Sequence, residues 1–198
     1  LKKLLKINKD KLIFGCYGGD SSFDLKFVQS AIIDIVEKRK DIVFIFLNIN
    51  KFHTHKQIKF LKGTINENYK KKFINTCDAM IYGRSLGESF GLSCGEFTLA
   101  NKRIISYKFN RHRSHCFNIS PNNIIEYYSY SSLVKIFLNF KKKSIKIQNS
   151  YKNYSKNKVM ISFSDNFLKK KQNITFSFWD YLKNYQGFVK MGYYYLRH

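Results

Sequence analysis

The chain has 198 residues, 44% hydrophobic and 25% charged, which suits one compact α/β domain with some appendage. Its net charge of +23 raises an anionic partner, but Lys supplies 30 of the 36 basic residues, and Arg, the residue best suited to bidentate phosphate and base contacts, is scarce. With abundant Asn, Ile, Tyr and Phe and a single Pro, this bias is that of an AT-rich coding sequence, and nucleic acid is not the expected partner. No run of eighteen apolar residues occurs, so no membrane-spanning helix is expected. Cys16, Cys77, Cys94 and Cys116 form no CxxC pair, which argues against structural zinc and for free thiols in a reducing, cytoplasmic compartment, where the charge also allows attachment to an anionic membrane surface.

In chain order, Leu1 to Lys11 alternates Leu and Ile with Lys and has neither the apolar core nor the cleavage site of a secretory signal. Residues 1–10 are expected to lead in from an N-terminal domain absent from this chain. Lys11 to Cys16 reads as a short buried strand stopped by Gly18 and Gly19, and Phe23 to Lys38 as a helix, because its apolar residues recur at helical spacing. Asp41 to Leu47 is a continuous apolar run, as in a strand covered on both faces. Ile58 to Leu61 is predicted as a strand, Glu67 to Thr76 as a helix, Ala79 to Tyr82 as a buried strand and Gly91 to Ala100 as a helix. Arg103 to Ser106 and Ile124-Ile125 follow as strands, and Ser131 to Phe140 as a helix.

This alternation predicts an α/β Rossmann-like fold, a doubly wound parallel sheet over residues 11–140. Residues 141–198 change in character: 13 basic residues against two acids, and aromatics from Phe176 to Tyr195, predict a basic tail with helices. Ligands of doubly wound sheets bind outside the carboxyl ends of the strands. Two turns lie there, Gly15 to Ser22 and Gly83 to Gly91.

The second turn carries the chemistry. A helix starting near Phe90 offers unpaired N–H groups and a positive dipole end, which suits a diphosphate. Gly87 and Gly91 allow close approach of the backbone, and two carboxylates, Glu88 and Glu96, flank the position. Laid along a helix axis, their eight-residue separation spans roughly 12 Å. One acid could therefore hold a sugar and the other a ribose, since carboxylates accept charge-assisted bonds from hydroxyls. A glycosidase-like pair needs carboxyls about 5 to 9.5 Å apart, which disfavours that reading. His53 with His55, and His112 with His115 and Cys116, are the only metal-like groupings, and with few acids near them no metal is expected.

The pair Glu88 and Glu96, around Ser89, Phe90, Gly91 and Leu92, resembles the E-x7-E signature of retaining GT-B glycosyltransferases, glycosyltransferase family 4 above all. The resemblance runs from about Lys11 to Leu168 and includes Phe73 to Ile81, Asn101 to Ile105, and Gly15 to Gly19 with Phe23 and Asp24. It implies the C-terminal, donor-binding half of such an enzyme. Glu88 would hold donor-sugar hydroxyls, Glu96 the ribose, and the amides of Phe90, Gly91 and Leu92 the sugar or distal phosphate. Gly18, Gly19, Ser89, Arg84 and Lys26 would complete the donor site. The implied reaction transfers a hexose from a nucleotide diphosphate sugar to a hydroxyl of a glycan, lipid or protein, with retention and without metal or other cofactor. Two departures stand out. Cys16 occupies the position where the family carries Arg, and Arg103 that of a Pro. Two other readings stay open: a truncated, non-catalytic glycosyltransferase remnant, and a basic nucleic-acid-binding module.

Overall fold

Apolar runs become the buried strands of a six-stranded, wholly parallel sheet. The strands are β1 (Leu12–Tyr17), β2 (Ile42–Leu47), β3 (Ile58–Leu61), β4 (Ala79–Ile81), β6 (Arg103–Tyr107) and β8 (Ile124–Tyr127), in the order β3-β2-β1-β4-β6-β8. Every residue of β2 is buried, as the uninterrupted run predicts. The computed structural model describes residues 1–142 and 150–168, and the aromatic stretch from Phe176 to Tyr195 lies outside them. Leu1–Tyr154 forms one compact unit and Ser155–His198 another.

Helices cover both faces of the sheet. Helix α1 (Lys26–Lys38) buries Val28, Ala31, Ile32, Ile35 and Val36, and packs with α5 (Tyr130–Asn139) on one face. Ser129 and Ser132 close a reciprocal cap at the start of α5. On the other face lie α2 (Glu67–Thr76), capped by Asn66 onto the Tyr69 amide at 3.0 Å, and α3 (Leu92–Leu99). Side chains of β1 alternate between the layers: Phe14 meets Phe137 of α5 at 5.2 Å, while Tyr17 stacks on Phe97 of α3 at 6.0 Å. Gly15 lies so close to α2 that a Cβ there would meet the Cys77 sulfur at 2.3 Å.

Strand β1 pairs with β2 along six residues, Leu12↔Ile42 to Tyr17↔Leu47, but with β4 only at Phe14↔Ala79 and Gly15↔Met80. Ile7 enters the core, with Leu1 and Leu5 packed against it, and at the other end Tyr151 does the same. Helix α1 starts three residues later than Phe23, whose ring turns inward from an extended segment onto Phe46 at 5.0 Å. A two-stranded ribbon of β5 (Gly87–Glu88) and β7 (His112–Arg113), and the short α4 (Ser114–Phe117), complete the unit. In the second unit, Lys156–Phe163 forms helix α6. Among the described residues no helix is long and apolar enough to cross a membrane.

Candidate functional site

From β1 the chain winds outward through β2 to β3, then returns past β1 to β4 and winds the other way. The reversal leaves a crevice at the carboxyl ends of β1 and β4, where doubly wound sheets bind their ligands. Two predicted turns meet there. Asp24 joins them, its carboxylate accepting from the Ser85 amide at 2.7 Å and the Ser85 hydroxyl at 2.6 Å. The Leu25 amide adds a bond to the Gly83 carbonyl at 3.1 Å.

The two acids stand at the ends of neighbouring strands, Glu96 by Tyr17 of β1 and Glu88 by Tyr82, which follows β4. Glu96, on α3, accepts from the Tyr17 hydroxyl and from Lys70 Nζ at 2.7 Å. The Lys70 ammonium also lies 5.7 Å from the Tyr17 ring centroid, close enough for a cation–π attraction. Burial, then the bond to Glu96, push the Tyr17 phenol far above its ordinary range, so it stays a donor. Glu88, on β5, accepts from Tyr82 Oη at 3.2 Å and Arg84 at 3.0 Å. Cys16, near Glu88, has its thiol pushed up to about 12 by burial and then by Glu88. It is a neutral, buried group, not a nucleophile. An ionised carboxylate has about four acceptor positions, so each acid retains capacity for ligand hydroxyls.

Gly91 sets the turn. It stands at φ +83° as the N-cap of α3, and a Cβ there would lie 2.5 Å from that of His115. With no capping side chain, the first helical bond runs from the Gly95 amide to the Gly91 carbonyl at 2.9 Å, and the amides of Leu92, Ser93 and Cys94 open the helix without an intrahelical acceptor. The Phe90 carbonyl accepts from the Tyr151 hydroxyl at 2.5 Å, and the Phe90 ring packs on Tyr151 and Tyr154. Under the turn His115 is fully buried, with Nε2 at 3.0 Å from the Ser106 hydroxyl. Its pKa is lowered to about 4 by burial and then by Arg113, so it is neutral near pH 7.

Arg84, Glu88, Phe90, Gly91 and Leu92 follow β4 and lead into α3, which carries Glu96, while Gly18 and Gly19 follow β1. A cleft of about 780 Å³ runs past Gly18, Tyr17 and Lys70, and a second of about 490 Å³ past Glu96 and Lys70. Ser89 is exposed at the turn. Lys26 is exposed at the first residue of α1 and makes no ion pair among the described residues. The roughly 12 Å helical span between the acids needs correcting: Glu88 belongs to the β5 ribbon, and only the four steps from Leu92 to Glu96 are helical, about 6 Å along the axis. Tyr17 and Lys70 were not legible as site residues, because Lys70 reaches Glu96 from a different helix. Among the described residues no cluster of three metal-ligating side chains occurs, and His55 faces Glu37 at 3.4 Å.

No protein-family profile and no curated protein matches the chain. Solved structures do. The C-terminal domain of LpcC, a group 1 family glycosyl transferase from Francisella tularensis, superposes with a TM-score of 0.57 at 16% identity, over 79% of this chain and 91% of that one. The fold is that of the C-terminal half of a GT-B glycosyltransferase. HepE of Anabaena, in complex with UDP and glucose, gives 0.53 at 13% identity, covering 77% of this chain and 44% of that one. The UDP-forming α,α-trehalose-phosphate synthase of Burkholderia xenovorans gives 0.55 at 11% identity, covering 73% and 39%. The chain therefore spans less than half the length of these last two proteins.

Proposed function

We propose that this chain is the donor-binding domain of a retaining GT-B glycosyltransferase of the family 4 kind, with Glu88 and Glu96 as its E-x7-E pair. One observation carries the reading: Glu96 meets Tyr17 at the end of β1 and Glu88 meets Tyr82 just past β4, the two strands between which the strand order reverses, and the amino end of α3 has no capping side chain. Glu96 accepts from the ribose hydroxyls and Glu88 from those of a hexose. The amides of Phe90, Gly91 and Leu92 face the phosphates, where the helix dipole favours negative charge. As the bond from the anomeric carbon to the diphosphate breaks, the leaving group gathers charge, and fixed donors aimed at that charge lower the barrier most. Lys70 and Arg84 are the cations within reach of the crevice, in place of the Arg that Cys16 replaces. The acceptor hydroxyl belongs to a glycan, lipid or protein held by the N-terminal domain of such an enzyme. No metal or other cofactor takes part, and the setting is the cytoplasm.

The Cys16 thiol favours one second reading, a remnant that keeps the fold without catalysis, because a neutral buried group cannot neutralise a diphosphate. Thermal shift with UDP, GDP, ADP and their sugars, on the native chain and on Glu96→Ala, decides between them. A ligand at 100 times its dissociation constant stabilises by about 2.7 kcal/mol, a readable shift. A shift for one nucleotide that disappears in Glu96→Ala supports the donor site. No shift for any nucleotide in the folded chain leaves the remnant, and salt-sensitive nucleic-acid binding unaffected by Glu96→Ala would sink both.

A further inference from the structure

The opposite end of the sheet holds a different cavity. At the amino ends of β1, β2 and β3 lies a space of about 360 Å³ whose lining includes Lys6, Lys11, Lys40, Lys56 and Lys59. Lysine is 30 of 198 residues, so the nine lining residues would carry one or two by composition alone, yet they carry five. Four separate stretches of chain deliver them. Lys11 precedes β1, Lys40 precedes β2, and Lys56 and Lys59 bracket the start of β3. Lys6 comes from the N-terminal turn, which the Ile7 amide closes onto the Lys2 carbonyl at 2.9 Å. Lys6 stands there at φ +53°, a left-handed conformation that a residue with a side chain adopts at a cost.

The charge in this cavity is not neutralised from within. Of the five lysines only Lys40 has an acidic partner among the described residues, Glu37 at 3.3 Å, and Glu37 also faces His55. The neighbouring Asp41 is held by Arg39, whose hydrogen bond keeps its carboxyl below the ordinary range, with Lys11 adding a smaller effect. Ile7 and Val43 give the cavity an apolar floor. Ammonium groups gathered around one concavity repel each other and focus a positive potential into it, which a compact anion of high charge relieves. Lysine binds phosphate as a point charge and does not need the planar geometry that Arg gives to carboxylates. No aromatic residue lines the cavity, so it lacks the stacking surface that single-stranded nucleic acid uses.

We propose that this cavity is a second anion site, which binds a multiply charged phosphate group, either free or as the head of a lipid. It shares no lining residue with the crevice clefts and does not depend on the donor-site reading.

Calorimetric titration of the full chain with inorganic pyrophosphate tests the site. Three proteins are compared: the native chain, Lys11→Ala/Lys59→Ala, and Lys72→Ala/Lys135→Ala with the same charge loss elsewhere. Saturable binding is expected in the native chain, weakened about tenfold or more by the cavity pair and changed less than about twofold by the control pair. Without ligand, the cavity pair is expected to melt no lower than the native chain, since its loss relieves repulsion. Equal effects of the two double variants, or no saturable binding in the native chain, overturn the proposal. So does saturable binding of single-stranded RNA without any of pyrophosphate. Sedimentation with phosphatidylcholine vesicles, with and without phosphatidylglycerol, names the source. Anionic-vesicle binding that pyrophosphate competes away, and that the cavity pair loses, assigns a lipid head. Pyrophosphate binding without vesicle binding assigns a free anion.

Discussion

Lys70 and Glu96 stand 26 residues apart on two different helices and meet at 2.7 Å beside the end of β1. About a third of each side chain is exposed, so the pair adds little stability, roughly 0–1 kcal/mol. Its interest is in ligand binding. Lys70→Met keeps the apolar stem and removes the charge, while Tyr17 still holds the Glu96 carboxylate. The variant is expected to melt within a few degrees of the native chain and to bind UDP about tenfold more weakly, with uridine unaffected. Calorimetry with the two ligands checks this, and equal losses for both would show that Lys70 does not face the diphosphate.

Glu88 and Glu96 are predicted to separate by ligand. Glu88 is tied to Tyr82 and Arg84 on the ribbon side, whereas Glu96 is tied to Tyr17 on the β1 side. Glu88→Gln is expected to leave UDP affinity within about twofold while removing about tenfold from the sugar nucleotide. If UDP itself weakens as much, the division of labour between the two acids is wrong.

Gly91→Ala tests the turn. At φ +83° a Cβ is strained, and here it would also press on His115. A loss of about 2–4 kcal/mol is expected, more than conformational entropy alone explains. Urea denaturation measures it, and a loss below about 1 kcal/mol would mean that the turn relaxes freely.

His115 makes stability depend on pH with a definite sign. In an unfolded chain its imidazole titrates near about 6.5, whereas in the fold burial, and then Arg113, hold it at about 4. Between these values the unfolded chain binds the proton and the folded one does not. The contribution is therefore complete above pH 6.5, declines as pH falls toward 4 and stays level below, a total of about 3 kcal/mol. In urea titrations at pH 7.5 and 4.5, His115→Gln is expected to lose less stability between the two than the native chain does. An unchanged difference would rule out this histidine as the cause.

Much of the fold can be read along the chain because its signals are local. The run from Ile42 to Leu47 is a strand in both, and the helix predicted from Glu67 to Thr76 has those bounds in the structure. Ile58 to Leu61 agrees equally well. What could not be read has physical reasons. The β5 and β7 strands are two residues each, too short for any periodicity, so Glu88 reads as loop. Phe23 follows the helical spacing of its neighbours, but its ring is taken by Phe46 and Phe52, and the helix waits until Lys26. The turn ahead of α3 could be read from Gly91, but the partners of Glu96, Tyr17 and Lys70, are brought in only by tertiary packing.

The brief pairing of β1 with β4 is the seam between two half-sheets of three strands. Near the base Asp78 fastens the seam, its amide and carboxylate both bonded to Ile13. At the open end the halves are laced by contacts such as Tyr17 with Glu96, Asp24 with Ser85 and Leu25 with Gly83. An occupant lying against Gly18 on one side and the start of α3 on the other would splice the halves where the strands themselves do not. Its arrival should lengthen amide-exchange lifetimes deep in β1 and β4, so that the interior of the sheet reports on an event at its rim.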